Sequence, residues 1–304
     1  VKAHLVKHFG GYYLVILYYI FMAYQDIQTY KKKYIHKMIK GTSKVVIFDL
    51  DETIGCFTDL EVLWSGINEY CRLSKNDIVC DQIAFNALLD LYPEFLRYGI
   101  LNILDYLNYK KANGTLLSVY IYTNNQLPKQ WSEMIVKYVE QKQGVVGLIE
   151  RIINAFKINK QVVEMNRTSH AKSHRDFIKC SLLPKTTEIC FIDDSYFVKM
   201  NHNKIYYIQP RSYYHGISTS DIIGRLVKSE MYSSYIETFL HNYFVRKNML
   251  SFEQKNLKDI ETDLVVSRKI MYHLQDFFHL TVKRTVTRKR RTLRMGRFTR
   301  KRIR

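Results

Sequence analysis

The chain has 304 residues and carries 47 Lys and Arg against 28 Asp and Glu, a formal charge of +19. With 47% hydrophobic and 25% charged residues, four Pro and twelve Gly, it is neither wholly disordered nor collagen-like or linker-dominated. Its length allows a large buried core in one elaborated domain or two small ones.

The charge is concentrated at the two ends. Residues 1–40 hold seven Lys and one Asp, and residues 283–304 hold twelve Lys and Arg with no acid. The stretch between them has 28 bases and 27 acids. A nucleic-acid partner argued from bulk charge therefore concerns the ends and not the body. The five Cys (56, 71, 80, 180, 190) include no CxxC pair and no Cys/His metal spacing. Cys56 and Cys190 lie in or beside apolar runs and read as buried small hydrophobes, and the set fits reduced thiols in a cytoplasmic or nuclear compartment.

In chain order, residues 1–42 form an apolar and basic leader. Residues 9–25 are uncharged, but their strongly apolar heart, 12–24, is shorter than the ~20 residues of a membrane span. Lys31, Lys32, Lys33, Lys37 and Lys40 follow. As a membrane contact, 9–25 would be a signal anchor leaving the body cytoplasmic. The alternatives are a tyrosine-rich amphipathic or buried helix, and a non-native leader with Met22 or Met38 as the true start. Residues 43–215 predict an α/β core. A β-branched run over 45–48 predicts a buried strand ending in Asp49-Leu50-Asp51-Glu52-Thr53. Helical periodicity covers 60–71, 81–91 and 96–109, so 56–95 is a helical insertion, either a small cap or extra helices beside the sheet. Residues 116–122 predict a second strand ending in Thr123-Asn124. Pro128 opens a helix over 129–141, and 146–156 is expected to be helical too. Residues 188–192 predict a third strand ending in Asp193-Asp194, and 205–208 a fourth. Residues 216–282 read as a helical extension, and 283–304 as a disordered basic tail. Nearly all-apolar strands alternating with helices argue for an α/β fold with a parallel sheet covered on both faces.

In such a sheet, ligands bind outside the carboxyl ends of the strands. The polar ends of three strands would therefore converge, and their four carboxylates need a cation. Hard oxygen ligands suit Mg²⁺, which can shield a phosphate while a carboxylate attacks it.

These motifs resemble those of the haloacid-dehalogenase-like (HAD) phosphohydrolases. The run Val45–Gly55 resembles motif I, hhhhDxDx[T/V]; Thr123 resembles motif II; Asp193-Asp194 resembles motif IV. Thr53 and the Arg97-Tyr98-Gly99-Ile100 run look most like the NLI-interacting-factor-like, CTD-phosphatase branch. The resemblance covers about residues 43–210 and implies a HAD-like Rossmannoid fold. It implies Asp49 as nucleophile, Asp51 as general acid and then base, and Thr123 as a phosphoryl hydrogen-bond donor. It places Thr53 in support of the motif I loop, with Asn124 beside it among the substrate contacts. Asp49, Asp51, Asp193 and Asp194 form the Mg²⁺ set, Asp51 through its backbone carbonyl. For the motif III lysine the candidates are Lys172, Lys179 and Lys185, and Lys172 is preferred because it opens a helix over 173–180. Arg167 reads as an exposed arginine, with substrate-phosphate contact as the alternative. The family's Pro after Arg is Tyr98 here, and the short β-insert of CTD phosphatases is not visible.

The expectation is an Mg²⁺-dependent phosphatase acting on a phosphorylated substrate, foremost a phosphoprotein. The alternatives are a nucleic-acid-end or nucleotide phosphatase, and a non-catalytic HAD-fold scaffold binding nucleic acid through 283–304. For that tail, nuclear import is a further reading.

Overall fold

A computed structural model describes residues 26–31, 34, 43–74, 80–248 and 254–295, with side chains as far as His279. The β-branched and aromatic runs at 44–48, 118–122, 188–192 and 205–208 bury side chains on both faces, as strands covered on both sides do, while two further strands are only partly buried. In chain order the first four are β1 (Ile27–Tyr30), β2 (Lys44–Phe48), β3 (Ser118–Tyr122) and β4 (Ile149–Ile153). A two-stranded hairpin follows, β5 (Lys157–Ile158) and β6 (Gln161–Val162), then β7 (Glu188–Ile192) and β8 (Ile205–Pro210). The main sheet has six strands in the order β1–β8–β7–β2–β3–β4. Only β1 is antiparallel to its neighbour. This is an α/β fold with a mostly parallel sheet flanked by helices, compatible with a Rossmann-like arrangement. The chain runs from β2 to one side through β3 and β4, and later returns to the other side as β7. The carboxyl ends of β2, β3 and β7 thus adjoin at the switch point.

The helices are α1 (Thr58–Ser74), α2 (Gln82–Leu91), α3 (Ile100–Ala112), α4 (Lys129–Lys142), α5 (His174–Ser181), α6 (Thr219–Lys228), α7 (Ile236–Arg246) and α8 (Leu257–Met295). One sheet face presents Val46, Phe48, Val119, Ile121 and Ile192 to a large core that includes Leu63, Phe85, Leu104, Ile135, Leu226, Leu240 and Ile270. The opposite face presents Val45, Ile47, Tyr122 and Phe191 to Phe177 and Cys180 of α5.

Five expectations change. The segment 146–156 contains β4 and not a helix: its apolar run is too short to separate a helical period from an edge strand, and pairing with β3 decides the matter. A β-hairpin, β5–β6, follows β4 over residues 157–162, where the sequence pattern shows no β-insert. The leader contributes β1, because a short, half-exposed edge strand carries little apolar signal. The insertion 56–95 and the block 216–282 are not appendages, since Leu60, Leu63, Trp64 and Phe85 share one core with Leu226, Phe244, Val266 and Leu274. The helices of 56–95 lie beside the sheet, and only the first turn of α1 reaches the site. Finally, α8 runs on to Met295, into the basic stretch expected to lack structure. Arg, Lys, Leu and Met extend an anchored helix without a new nucleation cost. Residues 9–25 and 296–304 lie outside the described residues. Among the described residues, no helix is long and apolar enough to cross a membrane.

His174 opens α5 and stacks on His202, with ring centroids 4.0 Å apart. Burial, then His202 and Lys204, push its imidazole down to about 4 from an ordinary 6.5. Between those values the unfolded chain binds a proton that the folded chain does not, so stability should fall as pH drops through this window. In urea titrations, His174→Gln should reduce that loss by on the order of 1 kcal/mol, its partial exposure allowed for.

Candidate active site

Each predicted polar cluster sits where its strand ends. Asp49 leaves β2 with its N–H donating to Ile192 O at 2.9 Å, and Thr123 leaves β3 with its N–H donating to Ile153 O at 3.0 Å. The loop after Asp49 is tight: Ile54 N–H donates to Leu50 O at 2.9 Å and Glu52 N–H to Gly55 O at 2.7 Å. Position 55 admits only glycine, because a Cβ there would collide with Phe95 O and the Phe57 ring.

Arg97 braces this loop from beneath. It is buried, and it donates from Nε to Thr53 O (2.6 Å) and from Nη2 to Glu52 O (2.5 Å) and Arg211 O (2.8 Å). Arg97→Met should strand these carbonyls and cost about 2–4 kcal/mol, read as a lowered urea midpoint together with loss of any activity that depends on the loop.

Lys172 is the lysine that reaches the site. It is 2% exposed; its Nζ pairs with Asp49 Oδ1 and, at 2.6 Å, with Asp193 Oδ2. The residue after it, Ser173, caps α5 by accepting from Asp176 N–H at 3.1 Å, which fixes where Lys172 enters. Lys179 and Lys185 are exposed. Burial alone would lower the Lys172 ammonium, but Asp49 and Asp193 outweigh it and hold it above its ordinary value. Burial raises the Asp49 carboxyl against the opposing pull of Lys172. Burial likewise pushes Asp193 up to about 8, with Lys172 opposing and Asp49 reinforcing.

Asp51 is pushed up to about 6, chiefly by burial. Its Oδ2 accepts from Asn125 Nδ2 at 2.8 Å. Asn125 escaped the sequence reading, which stopped at Asn124. The only signal available was the Thr-Asn-Asn run itself. Asn124 is held from behind, its Oδ1 accepting from Arg167 Nη2 at 2.6 Å. Arg167 is a correction: it is 2% exposed. From Nη1 it donates to Thr123 O (2.8 Å) and Asn154 O (2.6 Å), and from Nη2 also to His170 O (3.0 Å). Four acceptors brought together by the fold bury this arginine, and no local pattern announces them. Thr53 is also placed differently. It lies under the cavity floor: its hydroxyl meets Asp194 Oδ1 at 3.3 Å and accepts from Asp194 N–H at 3.1 Å. It ties the two loops together and does not line the cavity. Ser212 Oγ steadies the other oxygen of Asp194 at 2.6 Å.

Asp49, Asp51, Thr123, Asn124, Asn125, Lys172, Asp193 and Asp194 line one open cavity of about 430 Å³, with Glu52 and Glu61 also on its wall. Carboxylate oxygens of Asp49, Asp193 and Asp194 lie within 4.8 Å of one another. Such an all-oxygen donor set, short of positive charge, fits a hard divalent cation of the Mg²⁺ type. Together these groups bring a buried carboxylate, a second carboxyl two residues away with a raised pKa, a fixed ammonium and a metal-compatible cluster into one cavity. Comparisons of the chain with protein-family models, with curated proteins and with solved structures each returned no match.

Proposed function

We propose that this chain is an Mg²⁺-dependent phosphomonoesterase of HAD-like, CTD-phosphatase-like design, working through an aspartyl-phosphate on Asp49. The observation that carries this reading is the Lys172 bridge between Asp49 and Asp193, with Asp51 beside it and Thr123 on the same cavity wall. The strand order, with Asp49 at the switch point, agrees with it.

Each group then has a task. An oxygen of Asp49 attacks phosphorus, and the bond from phosphorus to the ester oxygen breaks. Asp51, whose carboxyl burial pushes up to about 6 so that a protonated fraction persists towards neutral pH, gives its proton to the leaving oxygen. Asp51 then takes a proton from water, the water oxygen attacks phosphorus, and the bond to Asp49 breaks to release phosphate. Asn125 holds Asp51 in place for both transfers. Lys172 opposes the burial that disfavours the ionised form of Asp49, and it offers positive charge to the phosphoryl oxygens. The Thr123 hydroxyl accepts from Asn125 N–H at 2.9 Å, which leaves its own proton free to donate to a phosphoryl oxygen. Asp49, Asp193 and Asp194, with the Asp51 carbonyl that the resemblance adds, would hold Mg²⁺, which would shield the charge of the phosphate.

A phosphoprotein substrate is favoured because the helices of 56–95 lie beside the sheet and leave the cavity open. The β5–β6 hairpin stands in the interval where CTD phosphatases carry a short β-insert. The basic stretch 283–304 favours a second reading, a nucleic-acid-end phosphatase. The test is a panel of p-nitrophenyl phosphate, phosphopeptides, nucleotides and phosphorylated oligonucleotides, run with Mg²⁺ and with chelator. Turnover should require Mg²⁺; turnover in chelator would contradict the metal-assisted chemistry.

A further inference from the structure

The stretch 211–217 follows β8 and touches both loops of the site. Arg211 O accepts from Arg97 Nη2 at 2.8 Å, and Tyr213 N–H donates to Glu52 O at 2.9 Å, so it braces the loop after Asp49. Ser212 Oγ donates to Asp194 Oδ2 at 2.6 Å, so it also sets one carboxylate of the cation cluster. Ser212 is exposed. An exposed hydroxyl fixes a carboxylate only if its own backbone is fixed from behind.

Lys255 supplies that support. It lies two residues before α8, and its side chain is only 3% exposed. Its Nζ lies 3.9 Å from the ring centre of Tyr213, 4.6 Å from that of Tyr214 and 5.3 Å from that of Tyr98. It also pairs with Asp263 Oδ2 of α8 at 2.5 Å. Three ring faces and a buried carboxylate offset the cost of taking this ammonium out of water. Two further contacts fit the cage to its occupant. Gly216 has φ 69°, and a Cβ there would lie 2.5 Å from Lys255 Cγ. Ser267 of α8 donates to the carbonyl oxygen of Tyr98. Lys255 does not line the site cavity, and the chemistry set out above leaves it without a task.

We propose that Lys255 is a positioning residue for the cation site: caged by Tyr98, Tyr213, Tyr214 and Asp263, it locks the 211–214 stretch so that Ser212 keeps Asp194 within reach of Asp49 and Asp193. This deepens the phosphatase reading of the same site and rests on its Mg²⁺ cluster. The partners behind a ligating carboxylate set its orientation, and losing one typically weakens metal binding about 10- to 100-fold. The C-terminal helical block, which carries no catalytic motif, thereby reaches the metal cluster through one side-chain cage and one hydroxyl.

The experiment measures Mg²⁺ binding to the full chain by titration calorimetry without substrate, beside a melting curve and turnover of p-nitrophenyl phosphate. Lys255→Met keeps the reach of the side chain and removes its charge. It should weaken Mg²⁺ binding by about tenfold and raise the Mg²⁺ concentration for half-maximal turnover in step. Tyr214→Leu opens the cage at a half-buried ring and should fold whatever becomes of Lys255→Met; it should weaken Mg²⁺ binding severalfold. Ser212→Ala should do the same, and adding it to Tyr214→Leu should cost little more, because both act through one oxygen of Asp194. Lys44→Met is the control: Lys44 is a buried lysine held by Phe277 O and Glu188, at the opposite end of β2 from Asp49. It should lower the melting midpoint and leave Mg²⁺ affinity at the wild-type value. Wild-type affinity in Tyr214→Leu or in a folded Lys255→Met, fully additive losses, or an equal loss in Lys44→Met would overturn the positioning role and leave the phosphatase reading standing. Wild-type protein that binds no Mg²⁺ would overturn that reading and the positioning role with it.

Discussion

Asp49→Asn should reduce phosphatase turnover by roughly 10³-fold or more, to the limit of detection. An amide cannot form the acyl phosphate, and no other carboxylate is placed to replace it. Asp51 is engaged by Asn125, Asp193 is bound to Lys172, and Asp194 is held by Thr53 and Ser212. The variant should still fold. Asn preserves the side-chain shape, and Lys172 keeps Asp193 as a partner. Burial already disfavours the ionised form of Asp49, so the thermal midpoint should be unchanged or higher, a cost in stability accepted for function. The measurement pairs steady-state turnover of p-nitrophenyl phosphate with a melting curve. An unfolded variant would leave the role of Asp49 to the trapping measurement described below.

Lys172→Met should affect both activity and stability. It removes the only cation between two buried carboxylates, and an uncompensated buried charge typically costs about 3–5 kcal/mol. Activity should fall as well, since neither the nucleophile nor the incoming phosphate retains its counter-charge. A double-mutant cycle separates the two effects. Adding Asp193→Asn to Lys172→Met removes one of the stranded charges and should recover a large part of the stability, yet none of the turnover. Recovery of turnover in the double variant would deny Lys172 a part in the chemistry.

The residues to which the proposed chemistry is assigned were legible because they obey local rules. Asp49, Asp51, Thr123 and Asp193 each follow an apolar run that can only be a buried strand, and Lys172 immediately precedes a capped helix. What escaped depends on contacts between segments distant in sequence. Arg167 is buried by carbonyls from Thr123, Asn154 and His170, and no spacing in the chain predicts that meeting. Asn125 is distinguished from Asn124 only by which of the two faces Asp51. β1 was hidden because an edge strand earns its place by pairing and not by composition. β4 was mistaken for a helix because its residues are only partly buried, so its apolar pattern follows neither period cleanly. The same cause joined 216–282 to the core: α6, α7 and α8 bury their apolar faces against α1 and the sheet, and an amphipathic helix does not name its partner.

The most direct test is to trap the intermediate. Wild-type protein mixed with substrate and Mg²⁺, quenched in acid and reduced with borohydride, should carry homoserine in place of aspartate at position 49 and at no other aspartate. Reduction at another residue, or full turnover with no residue ever reduced, would contradict Asp49 as the nucleophile and with it the chemistry derived from this site.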